Sequence, residues 1–265
     1  MFAIIWRMQT NSKNIIVSAL SVVLLVAAVF FVYKDSRGGK TDQFTVSQIS
    51  TSTELKIDTN KDKSAALAPA IPDLNRLVIA GSVSADLRNQ ITVQIKETSD
   101  ILKNNPQFFD GWISLGSLRK IAGDYEGAKE AWEYVSAISP LNHVSFGNLG
   151  DLYHYYLKDY PRAEKNLLTA VKNNPNSIVG YRNLYNLYTE SYKEKISEAP
   201  KVLESGLKSN PENYDLLILL GQYYKEAGDK VKAVEYYKRA LAVAEKFGQG
   251  AMKSVIETEI QNLTQ

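Results

Sequence analysis

The chain has no cysteine among its 265 residues. That absence excludes disulfides, thiolate metal sites, a cysteine nucleophile and a lipid-modified N-terminal cysteine. Histidine occurs only twice, at His143 and His154, which leaves little for metal ligation or acid–base work near neutral pH. An excess of one charge sign is also missing. With 31 Lys and Arg against 29 Asp and Glu, the formal charge is +2, so nothing pulls the chain toward polyanions. Sixteen tyrosines would suit base stacking, yet residues 106–265 carry 19 basic and 20 acidic side chains. A strand-binding groove needs a basic surplus, so the tyrosines are assigned to packing and no nucleic-acid partner is expected. Glycines form no phosphate-cradling loop, and no Ser, His and Asp combination points to a catalytic site. The expectation is a non-enzyme with no cofactor and no metal.

What the chain does have is unevenly spread. No charge occurs from Asn14 to Tyr33, and residues 15–33, which open on Ile15 and close on Tyr33, are nearly all apolar. At 1.5 Å per residue they make about 28 Å of helix, close to the ~30 Å hydrocarbon core of a bilayer. They read as a single-pass transmembrane helix behind a tail of residues 1–14. Signal-peptide cores usually run about 7–15 residues, so an uncleaved anchor is the reading. Ser36 and Gly38 nonetheless fit a small-x-small cleavage rule, and cleavage after Gly38 would release a secreted binding protein. Met8 is an alternative start. Arg7 and Lys13 on one side nearly balance Lys34, Arg37 and Lys40 on the other, which encodes orientation weakly. A short tail before a long domain favours a repeat domain outside the cytoplasm, at a cell membrane.

Residues 34–72 are rich in Ser, Thr, Asp, Lys and Gly, with isolated apolar side chains, and Pro69 and Pro72 close the stretch. Such a segment buries too little to offset its ordering entropy and reads as a flexible linker. As a coil it would reach roughly 30–35 Å from the membrane. Residues 73–105 then turn helical. Leu87, Ile91, Ile95, Thr98 and Leu102 recur at three and four, with Ser84 as N-cap and Asn104–Asn105–Pro106 as stop. This segment is expected to cap the helical region C-terminal to it.

Prolines at 106, 140, 175 and 211 are spaced by 34, 35 and 36 residues, three of them inside KNNP or KSNP. Between them one scaffold recurs. The first copy (109–140) carries Trp112, Leu115, Gly116, Ala128, Trp132 and Pro140, with Arg119 where the others favour Tyr. The second (143–175) has Phe146, Leu149, Gly150, Tyr153, Ala163, Leu167 and Ala170, with one extra residue between its helices. The third (178–211) has Tyr181, Leu184, Tyr188, Ala199, Leu203 and Gly206, Tyr185 in place of Gly, and a turn about two residues longer. The fourth (214–246) has Leu217, Leu220, Gly221, Tyr224, Ala233, Tyr237 and Ala240. Small residues at Gly116, Gly150, Gly221, Ala128, Ala163 and Ala233 let paired helices approach. Trp112, Trp132, Phe146, Tyr181 and Tyr237 fill the remaining space. A unit that cannot bury its stripe alone must stack on its neighbours.

Over residues 106–246 this pattern resembles the tetratricopeptide repeat. The resemblance implies an all-α, right-handed solenoid of about four helix-turn-helix units. Helical caps are expected at each end, the second being residues 247–265 with a stripe of Met252, Val255, Ile256, Ile260 and Leu263. It also implies a concave groove lined by first helices, which would hold a protein or peptide partner. By that resemblance Asp110, Ile113 and Ser117 face the groove in the first unit, and Val144, Asn148 and Asp151 in the second. Val179, Arg182, Asn183 and Asn186 do so in the third, and Asp215, Ile218 and Gln222 in the fourth. Asn148 and Asn183 fall at one repeat position, where an amide can pair with a peptide backbone, and Arg182 suits a carboxylate. Ile113 and Ser117 stand where the family's carboxylate clamp has Lys and Asn, so chaperone-tail specificity is not expected. The reading is a membrane-anchored scaffold or adaptor, with self-association through the end helices as a further expectation. An accessory subunit of an envelope enzyme or assembly machine is the alternative.

Overall fold

A computed structural model describes residues 69–265. The tail, the apolar stretch 15–33 and nearly all of the linker lie outside the described residues. Among those described, no helix is long and apolar enough to cross a membrane. Ten α-helices follow one another: α1 (Ala85–Asn104), α2 (Phe109–Ile121), α3 (Tyr125–Ile138), α4 (His143–Tyr155) and α5 (Tyr160–Asn173), then α6 (Ile178–Asn186), α7 (Ala199–Ser209), α8 (Tyr214–Glu226), α9 (Lys230–Lys246) and α10 (Gly250–Thr264). Each packs against the next in sequence. The result is an all-α helical-repeat solenoid whose units are the pairs α2–α3, α4–α5, α6–α7 and α8–α9.

Local chemistry sets the helix ends. Asp124, Asn142, Asp159, Ser177, Asn213 and Asp229 are N-caps, each accepting a hydrogen bond from the amide three residues on. Asn105, Asn174 and Asn210 are C-caps, and each precedes a proline that steers it out of helical backbone. The proline carbonyls then serve the neighbouring unit. Pro106 O accepts from Trp112 Nε1 at 2.9 Å, and Pro140 O from Asn173 Nδ2 at 2.9 Å.

The core is built from the expected small–large pairs. A Cβ on Gly116 would overlap the Trp132 indole, one on Gly150 would lie 2.5 Å from Leu167, and one on Gly221 2.7 Å from Tyr237. Trp112, Leu115, Ala128, Ala163, Tyr181 and Ala233 are buried as expected. Phe146 is not: it is half-buried, and its neighbour Ser145 turns inward. In α1, Leu87 is exposed and Ser99 takes the buried place. In α10, Ile256 is buried, Met252, Ile260 and Leu263 pack beside it, and Val255 faces outward.

Two segments depart from the repeat. In the third unit the extra residues are shared between the end of the first helix and a longer connection. The helix after Asn186 widens into a π-helical turn, Leu187–Ser191, followed by a 3-10 helix, Lys193–Glu198. Tyr185 stands, buried, where the other units have Gly. The close approach in this unit is at Gly206, where a Cβ would lie 2.8 Å from Leu216 and 2.9 Å from Tyr181.

The second departure is at the start. Residues 73–83 are not helical; they form a strap laid over the α2–α3 turn. Ala80 N donates to Ala122 O at 2.7 Å, and Arg76 grips Asp124 through Nε (2.7 Å) and a second guanidinium nitrogen (2.6 Å). Buried Arg119 donates to Asp73 O and to Gly127 O.

Candidate protein-binding groove

The first helices α2, α4, α6 and α8 carry the predicted groove residues in phase. Asp110, Arg182 and Gln222 are exposed, as are Val144 and Val179. Ser117, Asn148, Asp151, Asn183, Asn186 and Asp215 are half-buried, while Ile113 and Ile218 lean into the core. Their freedom differs. Ser117 is used internally, its hydroxyl donating to Ile113 O at 3.0 Å. Asp151 is paired with Lys120 of the preceding unit at 2.7 Å, a partner that the repeat signature does not reveal. Asn186 faces the Tyr155 hydroxyl. Asn148, Arg182, Asn183 and Gln222, like Asp110 and Asp215, make no side-chain hydrogen bond or ion pair within the described residues, which leaves them open to a ligand.

A row of polar bridges runs between units one turn beyond these positions. The residue eight after Trp112, Phe146, Tyr181 and Leu217 is Lys120, His154, Thr189 and Lys225. Lys120 reaches Asp151 and Lys225 reaches Glu259 of α10 at 2.6 Å. His154 Nε2 lies 2.9 Å from Ser191 Oγ, at the end of the π-helical turn. Thr189 instead donates to Tyr185 O of its own helix.

A second set of links holds the units from behind. Tyr153 donates to Glu133 (2.9 Å), Tyr188 to Glu164 (2.7 Å) and Tyr236 to Glu204 (3.1 Å). Burial, with Glu164 alongside, pushes the Tyr188 hydroxyl well above its ordinary range. Burial likewise pushes Tyr236, Tyr237 and Tyr185 up to about 12, with Glu204 adding for Tyr236, Glu259 for Tyr237 and Glu226 for Tyr185. All of them remain neutral donors at physiological pH.

Arg119 occupies this tyrosine position in the first unit, where no preceding repeat offers a glutamate. It takes the Asp73 carbonyl of the strap and the Gly127 carbonyl of α3 instead, and burial lowers its pKa. Burial alone would raise the Asp124 carboxyl. The Arg76 hydrogen bond and the Gly127 amide outweigh it and hold the group below the usual carboxylate range. In the second and fourth units the equivalent aspartates are paired within the helix by Arg162 and Lys232. The first unit has Gly127 there, and the space admits Arg76.

Not every tyrosine is a packing residue. Tyr155 and Tyr156 are 37% and 42% exposed on the groove side of the α4–α5 turn. Tyr156 packs on Tyr125 at 4.6 Å and under Lys120 at 5.4 Å. Their place beyond the repeat signature hid them from a reading keyed to signature positions.

The repeat geometry has a counterpart among known families. Residues 189–250 match the tetratricopeptide repeat family. That stretch runs from the π-helical turn through the fourth unit and into α10. The antiviral innate immune response effector IFIT1 of Macaca fascicularis is 24% identical over 159 residues, 59% of this chain. The match spans 31% of that relative's length. The crystal structure of MamA is similar in fold, with a TM-score of 0.51 and 20% identity over 64% of this chain and 99% of that one. Pseudomonas aeruginosa pilF is similar at a TM-score of 0.48, with 18% identity over 67% of this chain and 86% of the other. The tetratricopeptide-type array is thus supported by sequence at one end and by fold along its length.

Proposed function

We propose that this protein is a membrane-anchored, non-catalytic scaffold whose tetratricopeptide-type groove captures an extended peptide or a helix from another protein. The observation that carries the reading is the set Asn148, Arg182 and Asn183, in phase on adjacent first helices and without internal partners. An Asn side chain both donates and accepts, so two of them in register suit the backbone of an extended chain. Arg182 adds a site for a carboxylate. Lys120 and Asp151 satisfy one another and act as groove wall.

Anchoring rests on the uncharged stretch 15–33 and places the array on a leash of residues 34–72, on the side away from the cytoplasm. Confinement raises effective concentration, so micromolar affinity for a membrane-bound partner suffices. Crosslinking in intact membranes followed by mass spectrometry identifies the captured protein. Replacing Asn148, Arg182 and Asn183 together by alanine should abolish that crosslink while leaving the helical content unchanged. Capture that survives the triple substitution overturns the groove assignment. Membrane fractionation and protease accessibility of residues 41–72 in sealed cells test the anchor and its sidedness separately.

A further inference from the structure

The row of bridges between units has one member unlike the others. Lys120–Asp151 and Lys225–Glu259 are lysine–carboxylate ion pairs. The bridge between the second and third units is His154 to Ser191, and histidine is the side chain whose charge changes in the physiological pH range. With two histidines and no cysteine in the whole chain, few other groups titrate there.

The surroundings of His154 disfavour its charge. The ring is 1% exposed, stacked on Tyr155 at 3.8 Å and edge-on to Tyr160 at 6.3 Å. Burial is the largest influence and lowers its pKa, and Lys158 at the α4–α5 turn adds to that effect. Together they outweigh Glu190 on the π-helical turn and Asp151 on α4, which raise it, and hold the imidazole below its ordinary value. Among the described residues no carboxylate hydrogen-bonds the ring; its partner there is a hydroxyl. What the bridge holds is also the least regular part of the array. The π-helical turn ends at Ser191, and the 3-10 helix after it buries none of its own residues. A π-helical turn is a rare geometry that persists only where its surroundings hold it, and it is common at functional sites.

We propose that His154 and Ser191 form a pH-sensitive clasp. The neutral imidazole pins the π-helical turn to α4, and protonation in mildly acidic solution releases the junction between the second and third units. Release moves Glu190 away from Tyr155, whose hydroxyl it now meets at 3.4 Å, and so reshapes that wall of the groove. The sign is set by linkage. A histidine with a depressed folded pKa binds fewer protons in the closed state, so the clasp is intact above about pH 6.5 and weakens as the pH falls below that. This device does not depend on what the groove binds.

Hydrogen exchange of the full chain in detergent micelles, at about pH 5 and about pH 7.5 and corrected for intrinsic rates, reads the clasp directly. Protection of residues 187–198 should fall on the order of tenfold at the lower pH relative to α2 and α3. His143→Gln should behave like the parent, and His154→Gln, which keeps a hydrogen-bonding side chain without titrating, should show no pH dependence. Equal protection of 187–198 at both pH values in the parent, or a pH-dependent loss that persists in His154→Gln, overturns the proposal. Should His154→Gln fail to fold, the imidazole titration of the parent by NMR decides. A midpoint below about 6.5 supports the clasp, and one at or above it overturns it.

Discussion

A glycine in a helix is a weakness unless something occupies the space its missing side chain leaves. Gly221 faces Tyr237, and Gly147 on α4 faces nothing within 4 Å. The same substitution should therefore act with opposite signs. Gly221→Ala is expected to cost about 1–3 kcal/mol, because the fully buried Tyr237 ring has nowhere to move. Gly147→Ala is expected to add about 0.5–1 kcal/mol by lowering the entropy of the unfolded chain. Urea midpoints of the two variants check both signs. Gly116, Gly150 and Gly221 were legible from sequence because repetition marks them as positions. Phe146 was misread for the same reason. It occupies the signature position but is only half-buried, while Ser145 before it is buried as Gly111, Gly180 and Leu216 are in the other units.

At the scale of the element, the units are joined by tyrosine–glutamate links whose strength follows burial. Glu164 serves both Tyr188 and Lys195, and Tyr188 is 2% exposed. Glu164→Ala should cost about 1–3 kcal/mol by leaving a buried hydroxyl without its acceptor. Tyr153 is as buried as Tyr188, but its acceptor Glu133 is exposed and water can take its place, so Glu133→Ala should cost less than about 1 kcal/mol. Chemical denaturation of the pair tests that ranking. The strap gives a pH-dependent prediction. The Asp124 carboxyl is lowered in the folded state, so its contribution is complete above about pH 4 and disappears as the pH falls further. Asp124→Asn should remove that acid-side loss of stability, read as a flatter dependence of the thermal midpoint on pH. Helix positions, caps and the register of the units could all be read from periodicity and from Asn-Pro endings. The strap could not, because residues 73–83 have no period. Its signals were single letters, Arg119 for Tyr and Gly127 where other units have a base, and their meaning depends on a partner some 46 residues away. The π-helical turn was seen only as surplus length, since a sequence does not say whether extra residues leave the helix or widen it.

For the array as a whole, each helix touches its neighbours in sequence, so stability is a sum of local terms and damage should stay local. Removing residues 250–265 takes away Ile256 and the Lys225–Glu259 pair. The expected outcome is a gradient: exchange protection lost in α8 and α9, reduced in α6 and α7, and unchanged in α2 and α3. Uniform loss along the chain would show instead that the units fold as one cooperative block. Of the groove, sequence named a helix face. It did not reveal which residues spend their polarity on one another, as Asp151 and Lys120 do, because that depends on distances between units.

The strap has one more consequence, a mechanical one. The described chain enters the array through Asp73, Arg76 and Ala80, all fastened to the α2–α3 turn. Tension arriving along the leading segment is therefore taken up by a two-pronged guanidinium grip and a backbone bond. It reaches the turn of the first unit before it can peel α1 from its end. The attachment works as a strain relief, and a pull that would unzip a bare terminal helix is spread across a unit already locked to its neighbour.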